Sequence, residues 1–157
     1  MRLFLDTLVA LMFVGILAGV VIYHRQAGDI QAQRELARAE VRRFQQQIHL
    51  HTALSDGEQR ERGYPTTIDP DWFQGNLPDN PLLGPDHPWL EVAGIGQKSA
   101  VHPPDLTAAD RNAAVFWYNP CTGVVRARVP VGISDAHALE LYNYVNDCGL
   151  PSLFPEQ

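Results

Sequence analysis

The most constraining feature of this sequence is an apolar run close to its start. Between Leu3 and Tyr23 the only strongly polar residues are Asp6 and Thr7. About twenty apolar residues in an α-helix cross the hydrocarbon layer of a bilayer, which is about 30 Å thick. The run therefore predicts that residues 1–23 form a transmembrane anchor that crosses the membrane once.

A cleaved signal peptide is the alternative interpretation of this run. The run is long for a signal peptide, and Arg25 occupies a position where cleavage needs a small residue. The sequence also continues into residues 29–48, which are rich in good helix formers. We therefore favour an anchor that stays attached to the rest of the protein.

The second half of the same helix is predicted to be amphipathic. Within residues 24–56, apolar positions recur at steps of four, three and four residues. Because such positions share one side of a helix, we expect a nearly continuous helix from about Leu3 to about Leu54. The apolar stripe consists of Ala37, Val41, Phe44 and Ile48.

Residues 57–157 are predicted to form a globular extracytoplasmic domain. Residues 57–88 are rich in proline, glycine and aspartate and are interpreted as an ordered loop. A strand is expected at 89–92, and the runs 113–118 and 124–129 flank a turn, which predicts a β-hairpin with one buried face. The second run alternates, with Val125, Ala127 and Val129 opposed to Val124, Arg126 and Arg128.

The last predicted element is a short helix that begins at Ser134. Together with the long helix and the predicted strands, this short helix predicts the α+β class. In this fold the long N-terminal helix packs on a small antiparallel sheet. The apolar face of the short helix is formed by Ala138, Leu141, Tyr142 and Val145.

The two cysteines lie in the predicted domain. Cys121 is in the hairpin turn, and Cys148 follows the short helix. An even number of cysteines outside the cytoplasm predicts one disulfide, which would tie the C-terminal region to the hairpin. Two buried thiols are the alternative. A zinc site is not expected, because neither cysteine belongs to a Cys-x-x-Cys pair.

Charge and motifs argue against several classes of function. The net charge of −6 and the mixing of arginines with glutamates argue against nucleic-acid binding. The sequence contains no phosphate-binding loop, nucleophile elbow or His-Glu-x-x-His segment, so we expect no catalytic residues and no enzyme.

His49 and His51 are two positions apart on the predicted helix and so face different sides, which is a poor metal geometry.

Four aspartates carry the carboxylates that calcium binds, but they do not alternate as in a calcium loop. Turn-forming aspartates are the favoured interpretation and no cofactor is expected, with a calcium site as the alternative. These residues are Asp69, Asp71, Asp79 and Asp86.

Several short motifs resemble one known family. The residues 14–18, Val-Gly-Ile-Leu-Ala, resemble the anchor signature of the type IV pilin and type II secretion pseudopilin superfamily. Counted back from this signature, Asp6 falls where the family carries a glutamate. Residues 117–123, Trp-Tyr-Asn-Pro-Cys-Thr-Gly, and residues 75–81, Gly-Asn-Leu-Pro-Asp-Asn-Pro, are similar to two loops of pseudopilin-like proteins. The sequence departs from the family at Met1-Arg2, which is not its cleavage site.

The resemblance implies a structural subunit of a type IV pilus-like or pseudopilus filament that assembles through its N-terminal helix. It would reside in the inner membrane with its bulk periplasmic, and its partners would be other copies, related subunits and the assembly machinery. In that case Asp6 would meet the N-terminal amine of a neighbouring subunit. Alternatively, Asp6 lies near enough to the helix start to reach lipid headgroups and to complement the helix dipole.

Gly15 and Gly19 have the Gly-x-x-x-Gly spacing that lets membrane helices approach closely, although glycine is also common in such helices. The alternative function is a single-pass membrane protein that does not polymerise and whose periplasmic domain binds a partner or acts as a scaffold.

Overall fold

The computed structural model describes residues 2–54, 60–61 and 63–154, but not the side chains of residues 2–11, 26–27 and 60–61. The chain divides into two units, Met1–Gln33 and Arg34–Gln157. The first helix, α1, spans Arg2–Leu54, close to the predicted bounds. Residues 55–57, Ser-Asp-Gly, are where the sequence predicts the end of this helix, and they lie outside the described residues. The other helices are the 3-10 helices Pro70–Phe73 and Ile95–Gln97 and the α-helix α2, Asp135–Val145.

Short strands form the rest of the regular structure. The strands are β1 (Arg60–Glu61), β2 (Tyr64–Pro65), β3 (Leu90–Val92), β4 (Thr107–Ala108), β5 (Phe116–Asn119), β6 (Val124–Ala127) and β7 (Val129–Pro130). Strand β1 pairs with β2 antiparallel, and β3 pairs with β5 in parallel. Strand β5 pairs with β6 antiparallel, and β4 pairs with β7 in parallel.

The prediction of an antiparallel sheet is therefore wrong, since the three-stranded sheet β3-β5-β6 is mixed. A tight turn forces antiparallel pairing, whereas a long connection allows a strand to return in the same direction. Residues 93–115 provide such a connection between β3 and β5. The sequence pattern at 89–92 indicated a strand but carried no information about its direction.

The predicted hairpin is confirmed as β5 and β6, with Phe116 opposite Ala127. Gly123 in its turn has a φ of +69°, which favours glycine. A Cβ at this position would also lie 2.3 Å from the Tyr64 ring. Any larger residue at Gly123 would therefore displace Tyr64.

The core lies between α1 and the sheet, and the predicted apolar stripe of α1 faces it. Phe44 is fully buried, and its ring centroid lies 5.3 Å from that of Phe73 and 5.4 Å from those of Trp89 and Phe116. Ala37, Val41 and Ile48 are also buried. The coarse prediction, an α+β fold with a long helix packed on a small sheet, is confirmed.

Helix α2 also begins where the sequence predicts. The Ser134 hydroxyl accepts a hydrogen bond from the His137 amide, which caps the helix. The predicted apolar face is buried: Ala138, Leu141, Tyr142 and Val145.

The predicted disulfide is wrong, because Cys121 and Cys148 are not bonded to each other. Cys121 lies in the turn at one end of β6, whereas Cys148 follows Asn146, which is bonded to Ala127 at the other end. The four residues of β6 hold these ends about 10 Å apart. A disulfide needs Cα atoms within about 7 Å.

Candidate functional site

The first unit presents an apolar surface on all sides of α1. Residues 12–23 complete more than three helical turns, and every described side chain among them is exposed. The larger apolar side chains are exposed by between 48% at Val20 and 70% at Tyr23. A surface of this size is rare on a protein that stays monomeric in water. It is suited to contact with lipid or with other apolar helices.

The two glycines of the predicted assembly motif lie within this surface. Among the atoms that the structure describes, a Cβ built at Gly15 or Gly19 would meet none within 4 Å. Packing against these atoms therefore does not require glycine at either position. The side chain of Asp6, the other predicted assembly residue, lies outside the described residues.

Within the described part of the chain, no helix is long and apolar enough to cross a membrane.

In the second unit, residues 93–106 form a segment that we call the strap. Phe116 of β5 faces α1, where its ring contacts Phe44. Because successive side chains of a strand point to opposite sides, Trp117 and its pairing partner Arg126 face away from α1. The strap covers that side. Three side chains on or next to β5 and β6 donate hydrogen bonds to carbonyl oxygens of the strap. Asn119 donates to Gln97 (2.8 Å) and Ala100 (2.7 Å). Arg126 donates to Val101 (3.1 Å), and Arg128 donates to Asp105 (2.9 Å).

Arg128 is the most deeply buried charge beneath the strap, with 2% of its surface exposed. Besides Asp105, its guanidinium donates to the Ala114 carbonyl (3.1 Å) and to the Glu91 carboxylate (2.7 Å). The sequence placed this residue on the side opposite the buried face. That side is also covered, because the strap returns across it. The alternation pattern gives no signal of such a cover.

His102 is the strap residue that contacts α2. Its Nδ1 lies 3.1 Å from the hydroxyl oxygen of the fully buried Tyr142. Burial lowers the pKa of His102 below its ordinary value of 6.5, and the nearby Arg126 lowers it further. Burial also raises the pKa of Tyr142, so this hydroxyl stays protonated at neutral pH.

A cleft of about 540 Å³ lies beside His102 and is lined mainly by the strap. Its lining residues include Gln97, Ser99, Pro103 and Phe154. Phe154 is 75% exposed. The cleft gives this part of the strap free space on one side.

Two side-chain amides close the outer edge of β6. Gln45 of α1 accepts a hydrogen bond from the Val125 amide (3.0 Å) and donates one to the Gly123 carbonyl (2.6 Å). Asn146 accepts a hydrogen bond from the Ala127 amide and donates one to the Ala127 carbonyl. The edge is thus paired by side chains instead of a further strand. The apolar periodicity of the sequence does not reveal either residue.

The arginines that follow the apolar part of α1 have a structural partner at the end of α2. Arg38 and Arg42 both form ion pairs with Asp147. The bond from Arg38 is the main cause that lowers the pKa of Asp147 below its ordinary value. Two arginines of α1 therefore contact the end of α2 within the second unit.

The aspartates considered as calcium ligands take part in turns. Asp69 caps the helix Pro70–Phe73 by accepting from the Asp71 amide (2.9 Å), and Asp79 accepts from the Asn80 amide (2.8 Å). Across the described residues, no three acidic, histidine or cysteine side chains converge as metal ligands would.

The two histidines near the end of α1 also make separate contacts. The His51 ring stacks on the Trp72 ring, with 4.1 Å between the ring centroids. The His49 ring lies edge-on to the Tyr64 ring, with 6.2 Å between the ring centroids.

No protein-family model, curated protein or solved structure matches this chain.

Proposed function

We propose that this protein is a structural subunit of a type IV pilus-like or type II secretion pseudopilus filament and assembles through α1. The observation that carries the proposal is the apolar surface of residues 12–23, which no described side chain of the first unit covers. Such a surface is stable only against lipid or other apolar helices. A subunit that waits in the inner membrane and then joins a helical filament meets both environments in turn.

The sequence of the apolar run supports this role beyond a plain anchor. Residues 14–18 resemble the anchor signature of pilins and pseudopilins, and Asp6 stands where that family carries a glutamate. A carboxylate within an apolar helix is costly in lipid unless it is paired. In the proposed filament, Asp6 pairs with the N-terminal amine of a neighbouring subunit and sets the register of the helices.

Gly15 and Gly19 support contact with another helix. Because a Cβ at either position would meet no described atom within 4 Å, packing against the described residues does not explain their small size. Small residues four positions apart let two membrane helices approach closely. We therefore assign this pair to the contact between subunits.

The test is cysteine cross-linking of the full-length protein in cell membranes. A Val21→Cys variant places a thiol on the exposed apolar part of α1. Oxidation should then produce disulfide-linked adducts with other copies or with related subunits, which mass spectrometry identifies. Adding Asp6→Ala should reduce these adducts at least tenfold while the amount of protein in the membrane stays the same.

The matched control is Asp29→Ala, which removes a carboxylate from an exposed position on the same helix. It should leave the adducts unchanged. If Val21→Cys yields only monomer, or if Asp6→Ala cross-links as well as the parent protein, the filament proposal is wrong. A monomer in the membrane would instead support a binding or scaffold protein that does not polymerise.

A further inference from the structure

We propose that the second unit carries its own contact between copies of this chain, in which Ile95 and Lys98 of one copy enter a pocket on the next copy. This inference deepens the proposed filament and rests on it for bringing the copies close together. It adds a contact between the second units of neighbouring subunits to the contact that α1 makes. We call residues 94–98 the knob, and the pocket the socket.

The knob presents an apolar and a cationic side chain on one side of a tight turn. Ile95 begins the 3-10 helix Ile95–Gln97, and Lys98 follows it with helical backbone angles. Side chains three positions apart on such a helix lie one above the other. Both residues also line the same small cavity of about 90 Å³. Ile95 is 88% exposed, so its side chain contributes almost nothing to the core of its own chain.

The turn that carries these side chains is held in one shape. Asn119 donates hydrogen bonds to the carbonyls of Gln97 and Ala100. The side chain of Gln97 also accepts a bond from the Gly94 amide (3.1 Å). These bonds fix the backbone of the knob without covering Ile95. Because the turn is ordered before it binds, docking costs little conformational entropy.

The socket is a pocket of about 220 Å³ between the far end of the strap and the start of α2. Its lining includes the buried side chains of Leu106, Ala138 and Leu153. Val131 and Phe154 form part of its rim and are 62% and 75% exposed. The pocket therefore offers an apolar lining and an apolar rim to one branched aliphatic side chain.

Two carboxylates beside the socket match the charge of the knob. Asp105 and Asp135 line the pocket and are exposed. The ion pairs in the described part of the chain involve neither of them. Asp135 also complements the dipole of α2 from its first turn, whereas Asp105 has no such role. An apolar side chain next to a cationic one is complementary to this pocket, and Ile95 with Lys98 is such a pair.

The positions of the knob and the socket determine the kind of assembly. A cleft of about 540 Å³ runs from Gly96 and Gln97 of the knob to Pro104 and Phe154 of the socket. The bonds from Asn119 hold the knob at its own end of this cleft. A copy that docks its knob into the next copy therefore leaves its own socket open to a third. Head-to-tail contacts of this kind build helical filaments when their rotation does not close a ring.

The direct test places a photo-reactive benzoylphenylalanine at Val131, on the socket rim of the full-length protein in cell membranes. After irradiation we expect adducts of two copies, and mass spectrometry should locate the attachment within residues 94–98 of the second copy. The same probe at Arg111, an exposed position outside the knob and the socket, should give at least about fivefold fewer adducts. Absence of adducts at Val131, or attachment elsewhere, would overturn the proposal.

Exchange of the two charges tests the pairing with the probe kept at Val131. Lys98→Glu and Asp105→Lys should each lower the yield of adducts by at least about threefold, because like charges then face each other. The two substitutions together should recover at least half of the yield. Glu140→Lys, an exposed position on α2 that does not line the socket, is the matched control and should change nothing. Full yield in the single variants, or no recovery in the combined one, would contradict the assigned pair.

The Val21→Cys adducts of α1, measured in the same membranes, separate this inference from the filament proposal. If they form but the probe at Val131 does not reach the knob, the filament stands and the contact between knob and socket is wrong. Adducts to the knob without Val21→Cys adducts would support the contact and contradict the filament. Absence of both would overturn both.

Discussion

The side-chain amide of Asn146 bonds both backbone groups of Ala127, since its oxygen accepts from the Ala127 amide at 2.8 Å and its nitrogen donates to the Ala127 carbonyl at 2.9 Å. This pair of bonds is what an adjacent β-strand would supply. Asn146 is 3% exposed, so water cannot replace either bond. The residue thereby connects the end of α2 to the edge of β6.

Asn146→Ala should lower the free energy of unfolding by about 2–4 kcal/mol, because it leaves a buried N–H and a buried C=O without partners. Urea unfolding followed by circular dichroism measures the loss. Asn112→Ala, at an exposed position, is the control and should cost less than about 0.5 kcal/mol. Equal effects of the two substitutions would contradict the assigned role of Asn146.

Phe44→Ala should destabilise the second unit by about 3–5 kcal/mol, since it removes the ring that contacts Phe73, Trp89 and Phe116. Leu36→Ala, 52% exposed on the same helix, should change the stability by less than about 1 kcal/mol. The same urea titration compares both variants with the parent protein. A small effect of Phe44→Ala would mean that α1 does not pack on the sheet as described.

Arg128→Ala should destabilise the protein by about 1–3 kcal/mol, because it leaves the carbonyls of Asp105 and Ala114 without their donor. The Glu91 carboxylate, which is 40% exposed, can be solvated instead. The control is Arg111→Ala, an exposed position where little change is expected. Thermal unfolding of both variants tests the difference. Similar midpoints for the two would show that the guanidinium of Arg128 contributes little.

The two thiols should react at different rates with iodoacetamide in the native protein. Cys121 is buried, whereas Cys148 is partly exposed, so Cys148 should be alkylated first. Burial raises the pKa of Cys148, which keeps even this reaction slow at pH 7. In urea both cysteines should react fully. Intact mass spectrometry before alkylation provides the decisive comparison, since a mass lower by two hydrogens would indicate a disulfide.

The sequence predicts the elements that depend on periodicity. The buried positions of α1, such as Phe44, and of α2, such as Leu141, follow from spacings of three and four residues, and the hairpin follows from two strand-like runs around a turn. These features are local, so the signal lies within a few residues.

The features that the sequence missed depend on distant parts of the chain. Arg128 is buried because the strap crosses it, and Asn146 is bonded to a strand edge 19 residues away. The direction of β3 and the separation of Cys121 from Cys148 likewise follow from how the connections run. For the candidate assembly surface, the sequence supplied Asp6, Gly15 and Gly19, and the structure adds the exposure of residues 12–23.

The absence of a disulfide between Cys121 and Cys148 has a consequence for how the protein matures. Because noncovalent contacts alone hold the end of α2 to the hairpin, the described part of residues 34–157 needs no oxidant and no disulfide isomerase to reach this fold.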